Sequence, residues 1–404
     1  MNVKSVIVKA SAIMVATGVM CSVKATEPKS ISVDSCPWPV EELLKVPQTF
    51  SAAQYVGQQV SGVTALLYES VPYRGKPTKV FAYYSAPQGK APVGGWSAIV
   101  IAHGGGGTAY PEYVKMWNSR GYAAIAMDLY GKLPFSKGNP SGLVPLESRE
   151  TVEDGWPHGT KANNRTEEWQ YHAVSQIVLA HSLLRSFPEV NPEAIGLVGT
   201  SWGGVHSCIV AGIDPRFKFV VSVYGCIMGD KWYDPEHFLP QVKTPFFWIT
   251  GPEDANFEMS LWQKSINITP STVAAILVVK LGHGDNGQAY PIIARIADSV
   301  LRGGSRLPQL GKLEIRGRDV SVKVNAVKPL VRADLCYTIR GNPRKKDWLT
   351  VPATLAPGVV TATLPEDTAA FFFNVYDEPG PAAPAGIAWP SSSEYKYISL
   401  TASK

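Results

Sequence analysis

Residues 195–204 read IGLVGTSWGG, and this stretch decides the fold. Ile195–Gly199 has the short apolar pattern of a buried strand, and Val205–Ala211 that of a helix. Between them Gly199-Thr200-Ser201-Trp202-Gly203 is a G-x-S-x-G, with Gly204 following. Glycines two before and two after the serine relieve crowding in a sharp strand-to-helix turn, which lifts the Ser201 hydroxyl above a sheet and sets a helix N-terminus beneath it. A bare G-x-S-x-G is common by chance. The strand before it and the helix after it make Ser201 a candidate nucleophile rather than part of an ordinary glycine-rich turn.

Outward from this turn, strands and helices alternate from about Val63 to Arg302. Val80–Pro87, Ala98–Ala102, Tyr122–Asp128, Phe217–Tyr224, Pro245–Thr250 and Ala274–Lys280 read as strands; Pro111–Arg120, Trp169–Phe187 and Tyr290–Leu301 read as helices. Such alternation implies a mostly parallel sheet with helices on both faces. A polar, Gly/Pro-rich excursion covers about 132–165. After Arg306 the helical spacing stops, and Leu313–Val324, Leu330–Arg340, Val359–Leu364 and Ala369–Asp377 are strand-like pieces separated by turn residues. The expected organisation is a catalytic domain over 63–306, preceded by an extension over 26–62 and followed by a small β-sandwich-like domain over 307–404.

Residues 1–25 read MNVKSVIVKASAIMVATGVMCSVKA. Opening lysines, an apolar run and Val23-Lys24-Ala25 have the layout of a secretory signal peptide cleaved before Thr26. The run from Ala10 to Val23, roughly 14 residues, is shorter than the ~20 needed to span a bilayer, so no stable membrane insertion is expected once the leader is removed. The net charge of +5 includes Lys4, Lys9 and Lys24, so the mature chain is nearly neutral. The one Lys/Arg cluster is Arg344-Lys345-Lys346, and nucleic acid is excluded as an expected partner. With 45% hydrophobic and 18% charged residues the chain has a folding composition, not a disordered one. Cys36, Cys208, Cys226 and Cys336 outlast the leader. Export permits one or two disulfides, with three complete pairings, or buried free thiols. Neither C-x-x-C nor H-E-x-x-H occurs, and no metal site is expected.

Ser201 needs a base, and histidine is the usual one. In elbow folds of this kind the acid and then the histidine follow the serine, after later strands. Of seven histidines only His283 lies beyond the Pro245–Thr250 strand, just past Ala274–Lys280. His206 is one helical turn into the elbow helix and faces away; His172 and His181 read as packed or solvated. The acid follows the next-to-last strand in Gly251-Pro252-Glu253-Asp254. Asp254 is the candidate, with Glu253 as competitor and Asp285 and Asp230 behind. His103-Gly104-Gly105-Gly106-Gly107 leaves an early strand, where glycines let backbone N–H groups approach a developing oxyanion. The expected donors are the N–H groups of Trp202 and of Gly105 or a neighbour, with His103 pinning its own loop.

The runs HGGGG at 103–107, GYAAIAMDLYG at 121–131, GTSWGG at 199–204, CIVAGIDPRFKFVVSVYG at 208–225 and GPEDANF at 251–257 resemble the α/β-hydrolase superfamily. They are most similar to its dienelactone hydrolase and acetylxylan-esterase-like group, over about residues 60–306. The resemblance implies an α/β-hydrolase fold and a cofactor-independent serine hydrolase for small acyl esters. Its nucleophile, acid and base fall on Ser201, Asp254 and His283; dienelactone hydrolases proper carry a cysteine where Ser201 stands.

Substrate signals are thinner. The excursion with Trp156 and the loop 226–243 with Trp232 follow the carboxyl ends of strands, where α/β enzymes place specificity. Both tryptophans are candidates for stacking on a sugar. The expectation is an exported esterase acting on a carbohydrate ester, such as an O-acetyl group. The alternatives are a serine peptidase of the prolyl-oligopeptidase kind and a non-catalytic binding protein on the same scaffold.

Overall fold

Apolar pentads such as Ala123–Met127 (AAIAM), Phe219–Val223 (FVVSV) and Phe246–Thr250 (FFWIT) are buried at every position, as strands covered on both faces must be. The structure, a computed structural model, describes residues 36–134, 164–229, 233–339 and 347–377, and the backbone of 397–400. All lie in one unit, Ile31–Lys404. The leader, most of the 132–165 excursion, Trp156, Asp230 and Trp232 lie outside the described residues.

The chain runs α1 (Val40–Leu43), β1 (Thr49–Ser51), β2 (Thr64–Tyr73), β3 (Lys76–Ser85), β4 (Trp96–Ala102), α2 (Pro111–Ser119), β5 (Ala123–Met127), α3 (Trp169–Leu184) and β6 (Val190–Thr200). It continues through α4 (Trp202–Ile213), β7 (Phe219–Val223), β8 (Phe246–Thr250), α5 (Met259–Ile268), β9 (Thr272–Leu277) and α6 (Pro291–Leu301). The sheet has nine strands in the order β1-β2-β3-β5-β4-β6-β7-β8-β9. From β5 to β9 neighbours are parallel, and β1, β2 and β3 add an antiparallel edge. This is an α/β-hydrolase fold. The pairs Ala102↔Gly199 and Thr200↔Val223 bring the carboxyl ends of β4, β6 and β7 level, and the candidate site lies there.

Two features differ from the sequence reading. β1 belongs to the sheet although it precedes Val63, because Thr49–Ser51 pair with Leu66–Tyr68. Helix α3 is buried along its whole length instead of on one face. Its outer side is covered by the segment before β1: the Trp38 indole donates to the Tyr171 carbonyl at 2.9 Å, and the Ser182 hydroxyl to that of Leu43 at 2.7 Å.

Beyond Arg306 come β10 (Gln309–Arg316), β11 (Asp319–Asn325), β12 (Arg332–Thr338), β13 (Leu349–Pro352), β14 (Thr354–Ala356), β15 (Val359–Thr363), β16 (Ala370–Tyr376) and β17 (Tyr397–Leu400). They form two antiparallel four-stranded sheets, β10-β11-β15-β14 and β13-β12-β16-β17. The stretch Leu313–Val324 is a hairpin, turned at Gly317 with φ 64°. Asp377, just past β16, takes both guanidinium nitrogens of Arg295 on α6 at 2.6 and 2.5 Å. That fork joins the C-terminal sheets to the helix that follows the His283 loop.

Candidate active site

Ser201 sits between β6 and α4 with φ 56° and ψ −120°. A residue with a Cβ pays about 1–3 kcal/mol for such a conformation, so the surroundings must impose it. They do so through the Ser201 N–H, which donates to Val223 O at 2.8 Å, and the Ser201 carbonyl, which accepts from Val205 N at 3.0 Å. The flanking glycines are steric necessities. A Cβ on Gly199 would stand 2.2 Å from Gly203 O, and one on Gly203 would stand 2.3 Å from Ala102 O.

The structure brings Ser201, His283 and Asp254 into one hydrogen-bonded chain. His283 Nε2 lies 2.8 Å from Ser201 Oγ, and His283 Nδ1 lies 2.8 Å from Asp254 Oδ2. A carboxylate only accepts, so Nδ1 carries the imidazole proton and Nε2 is left to accept from the serine hydroxyl. The other Asp254 oxygen accepts the N–H groups of Asn256 and Phe257 at 2.7 and 3.1 Å. Those bonds fix the carboxylate on the loop after β8, and the neighbouring Glu253 is only half-buried. Two rings that the sequence reading passed over pack beside the imidazole, Tyr224 at 4.5 Å and Phe257 at 5.7 Å between centroids. The Tyr224 hydroxyl donates to Gly282 O at 2.8 Å, next to His283 in the chain.

The glycine loop after β4 runs against the serine. A Cβ on Gly104 would lie 2.9 Å from Ser201 Cβ and 3.5 Å from its Oγ, so Gly104 requires the absence of a side chain. The Gly106 N–H is held by the Tyr130 hydroxyl at 3.0 Å. Trp202 opens α4, where the N–H groups point out of the helix end. Gly104 and Trp202 thus adjoin Ser201, one from the glycine loop and one at the start of α4.

The other described histidines lie apart from this chain. His103 pins its loop, with Nε2 accepting from Leu129 N–H at 2.8 Å and Nδ1 2.7 Å from Gly104 O. His181 is buried 2.9 Å from Asp214, and burial holds its pKa below the usual value. His206 is buried between Trp169 and Trp202, and burial lowers its pKa to about 3. Cys36, Cys208, Cys226 and Cys336 are free thiols; burial pushes the Cys208 and Cys226 thiols up, which keeps them protonated and inert. Among the described residues no group of three or more His, Cys, Asp or Glu side chains converges as a metal site. No helix among them is long and apolar enough to cross a membrane.

Residues 81–276 match the model of the dienelactone hydrolase family. Among solved structures, an acetyl xylan esterase from Paenibacillus sp. R4 is 18% identical and superposes with a TM-score of 0.51, covering 65% of this chain and 92% of that one. Acetyl xylan esterase 1 from Thermoanaerobacterium sp. JW/SL YS485 is 16% identical over 64% of this chain and 92% of its own, with a TM-score of 0.43. The quorum-quenching protein AidA of Acinetobacter baumannii (strain MDR-ZJ06) is 28% identical over 127 residues, which are 31% of this chain and 34% of that relative. The chain therefore spans about a third of that curated relative's length. The family match covers β3 through most of β9, including Ser201 and Asp254, and the first of these structures shares the fold around it. Residues 81–276 are thus similar to the dienelactone hydrolase family, and the chain has the α/β-hydrolase fold.

Proposed function

We propose that the protein is an exported serine esterase that removes an acyl group, such as O-acetyl, from a carbohydrate. Ser201 is the nucleophile, His283 the base and then the acid, and Asp254 the orienting carboxylate. The observation that carries the reading is the pair of 2.8 Å contacts linking Ser201, His283 and Asp254 at a strained elbow. His283 Nε2 takes the hydroxyl proton as Ser201 Oγ attacks the ester carbonyl, and Asp254 stabilises the imidazolium. The carbonyl electron pair moves onto oxygen, which the N–H groups of Gly105 and Trp202 receive. Collapse expels the sugar alkoxide, protonated by His283, and leaves an acyl-Ser201 ester. Water then attacks that ester, gives its proton to His283 and releases the acid as Ser201 Oγ takes the proton back.

The carbohydrate part rests on the leader, on the family resemblance, and on Trp156 and Trp232, which the sequence puts in segments that follow strand-like runs. The deciding experiment measures acetate released from acetylated xylan and other acetylated glycans, beside p-nitrophenyl acetate, for the mature chain and Ser201→Ala. Glycan deacetylation that disappears in the variant, with turnover down by ~10⁴-fold or more, is the expected result. Near-wild-type activity of Ser201→Ala refutes the mechanism. Hydrolysis of the small ester alone refutes the acetyl-glycan substrate and leaves the esterase.

A further inference from the structure

The loop after β5 is tied to the glycine loop at three positions. Leu129 N–H donates to His103 Nε2 at 2.8 Å, Gly106 N–H to the Tyr130 hydroxyl at 3.0 Å, and the Thr108 hydroxyl to Asp128 Oδ2 at 3.0 Å. Each tie has one chemically permitted sense. Because Nε2 of His103 accepts, the ring is the neutral tautomer with its proton on Nδ1, which donates to Gly104 O at 2.7 Å. Asp128 is fully buried, and its second oxygen accepts the N–H groups of Tyr130 and Lys132, both at 2.9 Å. The carboxylate thereby shapes the loop that presents Tyr130. The Tyr130 ring stacks on Trp169 at 4.9 Å with planes 1° apart, and the Trp169 indole N–H donates to Leu129 O at 2.8 Å. Stacking fixes the ring, the indole fixes the loop, and the hydroxyl is delivered to Gly106.

Gly106 has φ 73°, a conformation open to glycine, and the N–H of the peptide plane between Gly105 and Gly106 is held by the Tyr130 hydroxyl. We propose that Tyr130 is a positioning residue for the oxyanion: by accepting the Gly106 N–H it fixes the plane that leaves Gly105, while His103 Nδ1 and the Gly107 N–H hold Gly104 O on the plane that enters it, and between the two fixed planes the Gly105 N–H keeps its direction towards the oxygen that becomes negative when Ser201 attacks. This rests on the esterase reading above. Preorganisation is the physical content. An oxyanion donor contributes in proportion to how little it must reorient at the moment of reaction.

The test is Tyr130→Phe, which keeps the ring stacked on Trp169 and removes the hydroxyl that accepts the Gly106 N–H. Steady-state kcat and KM for p-nitrophenyl acetate are measured beside the affinity for phenylboronic acid, whose serine adduct places an oxygen where the oxyanion forms. The expected result is a kcat lower by about tenfold, less than the ~10²–10³ of deleting a donor outright, with KM nearly unchanged. Boronic-acid affinity falls by a similar factor, and amide hydrogen exchange rises over residues 103–108 only. A kcat close to wild type overturns the proposal, as does a loss that falls on KM or accompanies faster exchange throughout the chain. If the wild type hydrolyses no ester but binds the boronic acid, the esterase reading has failed by itself, and the affinity of Tyr130→Phe still decides: a loss supports the proposal and an unchanged value overturns it. A wild type that binds no boronic acid overturns it as well.

Discussion

Gly104→Ala inserts one methyl group between the glycine loop and Ser201, the proposed nucleophile, and the structure fixes how much room is lacking. The new Cβ would stand 2.9 Å from Ser201 Cβ and 3.1 Å from Thr200 O. Carbon atoms pack best at about 3.5–4.0 Å, so the loop must retreat by roughly 0.6–1 Å. Ser201 cannot yield instead, because its backbone is held by Val223 O and Val205 N. Gly104 itself has no positive φ, so alanine adds crowding without backbone strain. The retreat moves the next residue, Gly105, away from the oxyanion by a similar distance. A misplacement of about 1 Å costs on the order of 10²-fold in rate, and the expected loss in kcat is therefore ~10–100-fold, about 1.4–2.7 kcal/mol. The assay is steady-state hydrolysis of p-nitrophenyl acetate beside thermal unfolding. A folded variant that keeps kcat within about twofold of wild type would refute the placement of the oxyanion donors on this loop.

Two further substitutions probe stability. Asp377→Ala removes the carboxylate that takes both guanidinium nitrogens of Arg295, whose side chain is only 10% exposed, so unfolding free energy falls by about 3–5 kcal/mol in chemical denaturation; a loss below about 1 kcal/mol would mean that the fork does not hold the C-terminal sheets. His206 is neutral when folded, with a pKa of about 3 against 6.5 for the ordinary group, so below pH 6.5 the unfolded chain binds the extra proton and stability falls with pH down to about pH 3. The slope from this one residue approaches about 1.4 kcal/mol per pH unit once the unfolded histidine is fully protonated, and urea unfolding of His206→Leu between pH 6.5 and 5 is expected to be flatter by about 1 kcal/mol per pH unit on average; an unchanged slope counts against the burial argument.

What could be read from the chain is what local sterics dictate. A turn as sharp as the one at Ser201 admits nothing larger than hydrogen at Gly199 and Gly203, so its glycines fall at fixed offsets and the motif is visible without coordinates. Strands covered on both faces are likewise written as unbroken apolar runs. The choice between Glu253 and Asp254 was not local, because it depends on where the chain returns at His283, 29 residues later than Asp254. Tyr224 and Phe257 were invisible for the same reason: each reads as ordinary core until the histidine loop is laid beside it. Helix α3 misled in the opposite direction. Its polar residues Gln170, His172, Ser175 and Gln176 are buried as well, with Tyr73 of β2 packed on His172 and the segment around Trp38 and Leu43 bound at Tyr171 and Ser182.

The reach of local signals also explains which half of the candidate chemistry was legible. Nucleophile, base and acid belong to motifs that recur in order along the chain, so topology alone ranks the candidates. The geometry of the oxyanion loop depends on partners about 20–26 residues away, Asp128, Leu129 and Tyr130, that carry no catalytic signature of their own. They differ in physical kind as well. The first group exchanges protons or forms a bond, which restricts it to a few residue types, whereas any well-placed acceptor could hold the Gly106 N–H. Residue identity is therefore a strong guide to the atoms that react and a weak guide to the atoms that hold them, and in this fold the second set determines how well the first can work.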